Sequence, residues 1–259
     1  MGLHLEVHGR ADAPAVLLSS GLGGAGAYWA PQIASLAERY RVVLYDQRGT
    51  GQSTGPLPKP YTIAHMAEDA IEVLDALGIT RCHFVGHALG GLIGLQTALQ
   101  HPARVGSLVL VNAWAKLDAH TMRCFDVRLD LLLHAGPEAY VRAQPLFLFP
   151  APWQSQNTER LARDHAHGVA HFQGTDTLLA RIAALRAFDA AERLGAIRCP
   201  TLAMAARDDM LAPWTASRDL AEGIPGAGLW LTPEGGHACN VTDPDAFNAA
   251  LREFLDAQA

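Results

Sequence analysis

Short, almost wholly apolar runs of strand length, each cut off by turn residues, constrain the fold of this chain more than any other feature. Ala15–Ser20 (AVLLSS), Arg41–Asp46 (RVVLYD), Cys82–Gly86 (CHFVG), Val105–Asn112 (VGSLVLVN), Thr201–Ala205 (TLAMA) and Gly228–Thr232 (GLWLT) do not alternate apolar with polar residues. A strand with one wet face must alternate, so these runs predict strands buried on both faces, the pattern of a mostly parallel sheet. Helical signals fall between them. Ala64–Leu77 carries Met66, Ala70, Ile71, Val73, Leu74 and Leu77 at helical spacing, with Gly78 as its C-cap. A Gly- and Ala-rich helix follows Cys82–Gly86 as far as Gln100 and stops before Pro102. The expected class is α/β, with helices on both faces of the sheet.

The rhythm changes from Ala115 to Ala187. Strand signals disappear, and helical stretches at Met122–Leu133, Glu138–Ala143 and Leu178–Phe188 are separated by breaks at Pro145, Pro150, Pro152 and Trp153. The expectation is a core of residues 1–114 and 188–259 with a four-helix-like cap, residues 115–187, inserted between the sixth and seventh core strands. A length of 259 residues suits one such domain with an insertion. Met1 to Arg10 alternates through Leu3, Leu5 and Val7 and lacks a cationic stretch followed by an apolar one, so it reads as a strand and not a secretory signal.

Composition excludes several partners. Hydrophobic residues make up 49% and charged residues 18%, unlike a disordered chain. The net charge is −6 with no basic block, which argues against nucleic acid and anionic membrane surfaces. The longest apolar stretch, Leu108 to Trp114, falls far short of the roughly 20 residues of a membrane helix. Cys82, Cys124, Cys199 and Cys239 are scattered without a CxxC pair, the usage of reduced thiols in a cytoplasm. A small molecule is the expected partner, and the oligomeric state stays open, a homo-oligomer included.

Three segments fall at the ends of predicted strands, where an open α/β sheet binds its ligands. They are Ser20-Gly21-Leu22-Gly23-Gly24, then Gly86-His87-Ala88-Leu89-Gly90 between a strand and a helix, and Ala206–Pro213 followed by Gly235-Gly236-His237. Their order, with Asp46-Gln47-Arg48-Gly49-Thr50-Gly51-Gln52-Ser53 between the first two, resembles the skeleton of an α/β-hydrolase. In that fold a G-x-S-x-G elbow is followed in the chain by an acid and a histidine. Here the elbow position is Ala88. A methyl group cannot attack a carbonyl; Ser19 and Ser20 belong to the earlier loop and Cys239 lies beyond the histidine. Removing a triad nucleophile costs roughly 10⁶ in turnover, so an ordinary acyl-enzyme esterase is excluded.

The resemblance keeps Asp209 and His237 as the acid and the histidine, with Asp208 the weaker candidate. A buried Asp209 fixes the imidazole tautomer and leaves the other nitrogen to move a proton; a purely structural ion pair is the alternative. The backbone N–H groups of Leu22 and Leu89 would form the oxyanion hole.

GLGGAGAYW (Gly21–Trp29), YDQRGTG, VGHALG (Val85–Gly90), RCF (Arg123–Phe125), AQPLFLFP (Ala143–Pro150), AHFQG (Ala170–Gly174) and GGHACNVTDP (Gly235–Pro244) are similar to one family. It is the hydrolase-fold protein D of the bacterial pyrimidine-utilisation (Rut) pathway, whose elbow also reads GHALG. The resemblance implies a role in uracil-ring catabolism, with carbamate as substrate, or alternatively 3-aminoacrylate, and no cofactor. Both reactions proceed by proton transfers without a covalent intermediate. His237 would shuttle the proton, Asp209 orient it, and the space left at Ala88 hold substrate or water. Two other classes remain open, a catalytically dead binding protein and a cofactor-free lyase or oxygenase using the His–Asp base.

Other residues carry weaker expectations. His87 lines the wall or touches ligand. Arg48 holds a substrate carboxylate or, as arginines in such turns more often do, pairs with a neighbour such as Asp46. His165, His167 and His171 have metal-like spacing but no acidic partner to complete a site. Trp29, Trp114, Phe147 and Phe149 read as core or pocket lining, and Cys239 and Asn240 as flanking the site.

Overall fold

The computed structural model describes residues 2–53 and 55–258. Met1 and Ala259, the outer limits of the expected core, lie outside them, and so does the start of the expected N-terminal strand. A seven-stranded sheet runs through the molecule in the order β1-β3-β2-β4-β5-β6-β7. Its strands are β1 (Leu5–His8), β2 (Ala15–Ser19), β3 (Arg41–Tyr45), β4 (Cys82–His87), β5 (Val105–Val111), β6 (Thr201–Ala206) and β7 (Gly228–Thr232). β1 lies antiparallel on β3, with Leu5 opposite Tyr45, and every other pair is parallel.

The apolar runs of β2 to β6 pack on both faces, as their lack of alternation demands, whereas Gly228–Thr232, expected to be buried likewise, is an edge strand with no buried residue because only β6 pairs with it. Leu17, Val43, Phe84, Leu108 and Leu110 join one core with α2 (Ile63–Ala76), α3 (Leu89–Gln100) and Leu220 of α9 (Trp214–Gly223). Their sheet neighbours Val16, Leu18, Val42, Leu44, Val85 and Val109 join a second core with Leu36 of α1 (Ala30–Ala37) and Phe247, Leu251 and Leu255 of α11 (Pro244–Asp256). Thr62 caps α2 by accepting the His65 N–H on its hydroxyl. Helix α3 is buried from Leu89 to Ala98, because it is sandwiched between the sheet and α2. Its Gly- and Ala-rich sequence gives it a thin profile instead of an amphipathic stripe.

The helical insertion holds α4 (Ala119–Asp130), a π-helical turn at Leu131–Ala135, α5 (Pro137–Leu148), α6 (Ala151–Gln156), α7 (Thr158–Ala170) and α8 (Thr175–Ala187). It has one helix more than the expected four. It leaves the sheet after β5 and returns at β6, not between a sixth and a seventh strand, because only one antiparallel strand precedes β2. Pro145 does not break its helix as expected. It sits inside α5 near the C-terminal end, where the missing N–H costs one bond. At the root of the insertion Lys116 and Asp189 pair as antiparallel backbone, and the Ala190 N–H donates to the Ala115 carbonyl at 2.9 Å. Among the described residues no helix is long and apolar enough to cross a membrane.

The carboxyl ends of β2, β4, β6 and β7 all face the inserted helices. The chain moves outward from β2 to β3 and then back to β4 on its other side. That reversal makes the loops after β2 and β4 the topological switch point, where open α/β sheets bind their ligands.

Candidate active site

Between β4 and α3 the backbone turns through Ala88 at φ 48° and ψ −112°. A residue with a Cβ reaches this region only under strain, about 1–3 kcal/mol. The turn is held from both sides. The Ala88 N–H donates to the Val111 carbonyl at 2.9 Å, and its carbonyl accepts from Gly91 at 2.8 Å. Close approach explains the flanking glycines. A Cβ at Gly86 would overlap the carbonyl of Gly90, and a Cβ at Gly90 would overlap the backbone of Ser19. The elbow therefore keeps the strained geometry that presents a nucleophile, while the residue presented is a methyl group.

His237 and Asp209 come together as expected. His237 Nδ1 lies 2.8 Å from Asp209 Oδ2, with the residues 2% and 8% exposed. A carboxylate only accepts, so Nδ1 carries the proton and Nε2 is left as the working nitrogen. Asp209 is fixed in turn: its Oδ1 accepts from the Leu211 N–H at 2.7 Å and the Ala212 N–H at 3.0 Å. Asp208 faces elsewhere and accepts from the Gly236 N–H at 2.8 Å, tying the histidine loop to the acid loop.

His87 braces the histidine from below. Its Nε2 donates to the His237 carbonyl at 2.7 Å, and Asn112 Nδ2 donates to the same oxygen at 2.6 Å. The rings of His87 and His237 lie 4.7 Å apart. With Nε2 donating, His87 Nδ1 is a bare acceptor, and it is buried without a partner. Burial, with the nearby His237 charge, holds the His87 imidazole well below its ordinary pKa, so it stays neutral.

The oxyanion candidates lie beside the elbow. Leu89 is the first residue of α3, so its N–H has no acceptor within the helix. Leu22 stands in the loop after β2. A Cβ placed on its neighbour Gly21 would lie 2.9 Å from His87 Nδ1 and 3.7 Å from the Ala88 methyl. The loop is therefore in contact with the elbow.

Arg48 is placed otherwise than expected. Its guanidinium grips Asp69 in α2, with Nη2 to Oδ1 at 2.5 Å and Nε at 3.0 Å, and so is not free for a substrate carboxylate. Asp46 is not its partner either, because its oxygens accept from the Gly26 and Gln52 amides, each at 2.8 Å.

One residue near this loop escaped the sequence reading. Arg181 of α8 is 0% exposed. Its Nη2 donates to Gln47 Oε1 at 2.5 Å and to the Leu22 carbonyl at 3.2 Å, and its Nε reaches the same carbonyl at 3.3 Å. A signal existed: Arg181 falls on the helical stripe of Leu178, Ile182 and Leu185, all buried.

The flanking residues act through structure. Asn240 accepts from the Tyr28 hydroxyl at 2.7 Å, and its carbonyl accepts from Gln32 Nε2 at 2.8 Å, so it anchors the histidine loop to α1. Burial, with the Asp209 charge, pushes the Cys239 thiol up to about 12, which keeps it protonated and unreactive. Trp29 and Phe247 pack in the core, and Trp114 is buried with its indole N–H unpartnered. Phe147 packs with Cys124 and Leu211 beneath the acid loop, and Phe149 stacks on Trp153 at 4.5 Å. His167 of α7 and His171, just past its end, stack at 4.1 Å. Among the described residues no group of three or more His, Cys, Asp or Glu side chains could hold a metal.

This arrangement matches known proteins along nearly the whole chain. Residues 14–244 match the family model described as alpha/beta hydrolase fold. The chain is 56% identical over 255 residues to a protein of Agrobacterium fabrum (strain C58) named "Putative carbamate hydrolase RutD", covering 98% of both. It is 57% identical over 256 residues to a protein of the same name from Variovorax paradoxus (strain S110), covering 98% of this chain and 96% of that one. Among solved structures, a hydrolase from Pseudomonas aeruginosa PA01 superposes with a TM-score of 0.88 at 32% identity, over 98% of this chain and 94% of that one. The chain belongs to the α/β-hydrolase fold family and, within it, to the RutD family.

Proposed function

We propose that this chain is a hydrolase for the C–N bond of a small carboxylate, carbamate first, and that it works by acid–base chemistry without a nucleophile. The observation that carries the reading is a buried His237–Asp209 pair at 2.8 Å packed beside an elbow whose side chain is a methyl group. The relatives' name supports carbamate, and the resemblance of the motifs to the Rut-pathway family implies a place in pyrimidine-nitrogen use. In the reaction protonated His237 gives its Nε2 proton to the carbamate nitrogen. The C–N bond then breaks with its electron pair on nitrogen, releasing ammonia and carbon dioxide, and solvent returns the proton to Nε2. The Leu22 and Leu89 amides hold the carboxylate oxygens. The four cysteines are free, which supports a reducing compartment such as the cytoplasm.

Because carbamate also decays alone, the acid–base contribution needed is modest, about 10²–10⁴. Stopped-flow measurement of the pH change at mildly alkaline pH, where the spontaneous reaction is slow, tests the reading. The protein accelerates decay and His237→Ala does not. Equal traces with and without protein, followed by the same result with 3-aminoacrylate, would replace the enzyme with a ligand-binding protein.

A further inference from the structure

Arg181 is a buried cation that has no carboxylate of its own. The ionisable groups around it are the phenols Tyr61, Tyr45 and Tyr140, which are neutral at neutral pH, and, last, Asp69. Asp69 is already held by Arg48 through Nε and Nη2 and by the Tyr61 hydroxyl. Burial without an opposing charge lowers the Arg181 pKa to about 10, which leaves it charged at neutral pH. Such a cation costs several kcal/mol of desolvation unless something pairs with it. Hydrophobic residues of similar volume would fill the same space of α8 more favourably.

Its hydrogen bonds are unevenly spent. The Nε–Nη2 side of the guanidinium engages the carbonyls of Gly21 and Leu22 and the amide of Gln47. Nη1 is buried with no partner. The loop it grips is the one whose Gly21 abuts His87 Nδ1 and the Ala88 methyl. An unpartnered N–H donor on a charged side chain therefore lies behind the loop that abuts the elbow. His87 Nδ1 and Ser20 Oγ are further buried polar atoms without partners around the same loop. These three unsatisfied groups lie around one loop, where a small polar ligand would satisfy them.

We propose that Arg181 is the anion anchor of this site, its Nη1 binding the carboxylate of a small monocarboxylate substrate and selecting that charge over neutral amides. This deepens the reading of the site as one for a small carboxylate and rests on it, but it concerns binding and not turnover. The guanidinium joins the Leu22 and Leu89 amides at the anionic end, and His237 works at the other. The cap thereby contributes a residue to the site, because α8 belongs to the inserted helices.

The test uses two unreactive probes of similar shape, acetate and acetamide, titrated calorimetrically into the full chain. The wild type binds acetate in preference to acetamide. Arg181→Gln loses acetate affinity by about tenfold or more, the scale of a charged hydrogen bond, while acetamide binding is unchanged. A merely structural role would weaken both probes alike. Arg181→Lys keeps the charge without the fork and retains a reduced preference for acetate; it decides the matter if Arg181→Gln does not fold. The proposal is overturned if wild type does not prefer acetate, if Arg181→Gln keeps the preference, or if Arg181→Lys binds acetate as wild type does. Failure of the catalytic reading looks different: acetate preference persists and depends on Arg181, but carbamate decay is not accelerated.

Discussion

Asp209 shows how one side chain can decide which proton moves. Its Oδ1 is occupied by the amides of Leu211 and Ala212, and its Oδ2 faces His237 Nδ1. In Asp209→Asn the two amides can be satisfied only by the carboxamide oxygen, which turns the NH₂ toward His237. A donor facing Nδ1 forces that nitrogen to be an acceptor and leaves the single imidazole proton on Nε2, which excludes the doubly protonated ring that gives up its Nε2 proton. The variant keeps the fold yet loses the acid–base contribution, about 10²–10⁴ in protein-dependent carbamate decay. Proton-detected NMR of the imidazole nitrogens reports the tautomer alongside the rate. An unchanged rate with a switched tautomer would remove His237 from the proton transfer.

At the scale of elements, the elbow depends on the contact between α3 and β2. A Cβ at Gly90 would overlap the Ser19 carbonyl, which is backbone and cannot swing aside. Gly90→Ala must therefore push the helix off the strand, at a cost of about 3 kcal/mol. At roughly 2–4 °C per kcal/mol for a chain of this size, thermal unfolding should show the drop plainly. A variant melting within 1–2 °C of wild type would mean that the elbow relaxes more easily than its geometry suggests.

The same contrast explains what the sequence made legible. β2 and β4 are buried at every position, so their apolar runs stand out without context. Helix α7 buries no residue and offers no stripe to read. Asp209 and His237 were found through motif order, because their neighbours in sequence are also their neighbours in space. The Arg48–Asp69 pair and the burial of Arg181 under the loop of Gly21 and Leu22 come from chain segments far apart. Local pattern alone does not show which polar side chain of an apolar helix will be enclosed.

For the whole molecule, histidines buried in neutral form make acid an unfolding agent well above the carboxylate range. His87 is held well below its ordinary value of 6.5, first by burial and then by His237. His83 is lowered too, by burial and then by Arg81, and it hydrogen-bonds Ser107 Oγ at 2.8 Å. Below about pH 6.5 the unfolded chain protonates these imidazoles while the folded chain does not, so the unfolded state binds more protons. Stability is then complete above the unfolded value and falls as the pH drops toward the folded values, by at most about 1.4 kcal/mol per pH unit for each such histidine. Urea unfolding from pH 7 to pH 5 should show the midpoint declining across this window. His87→Gln, which cannot titrate, should flatten the decline by the share that His87 carries, and His83→Gln by its own. The two sites sit at opposite ends of β4, so their effects on the slope should add. A pH profile in His87→Gln parallel to that of wild type would mean that His87 takes up its proton in the folded state. The fixed tautomer that holds the His237 carbonyl would then not survive mild acid.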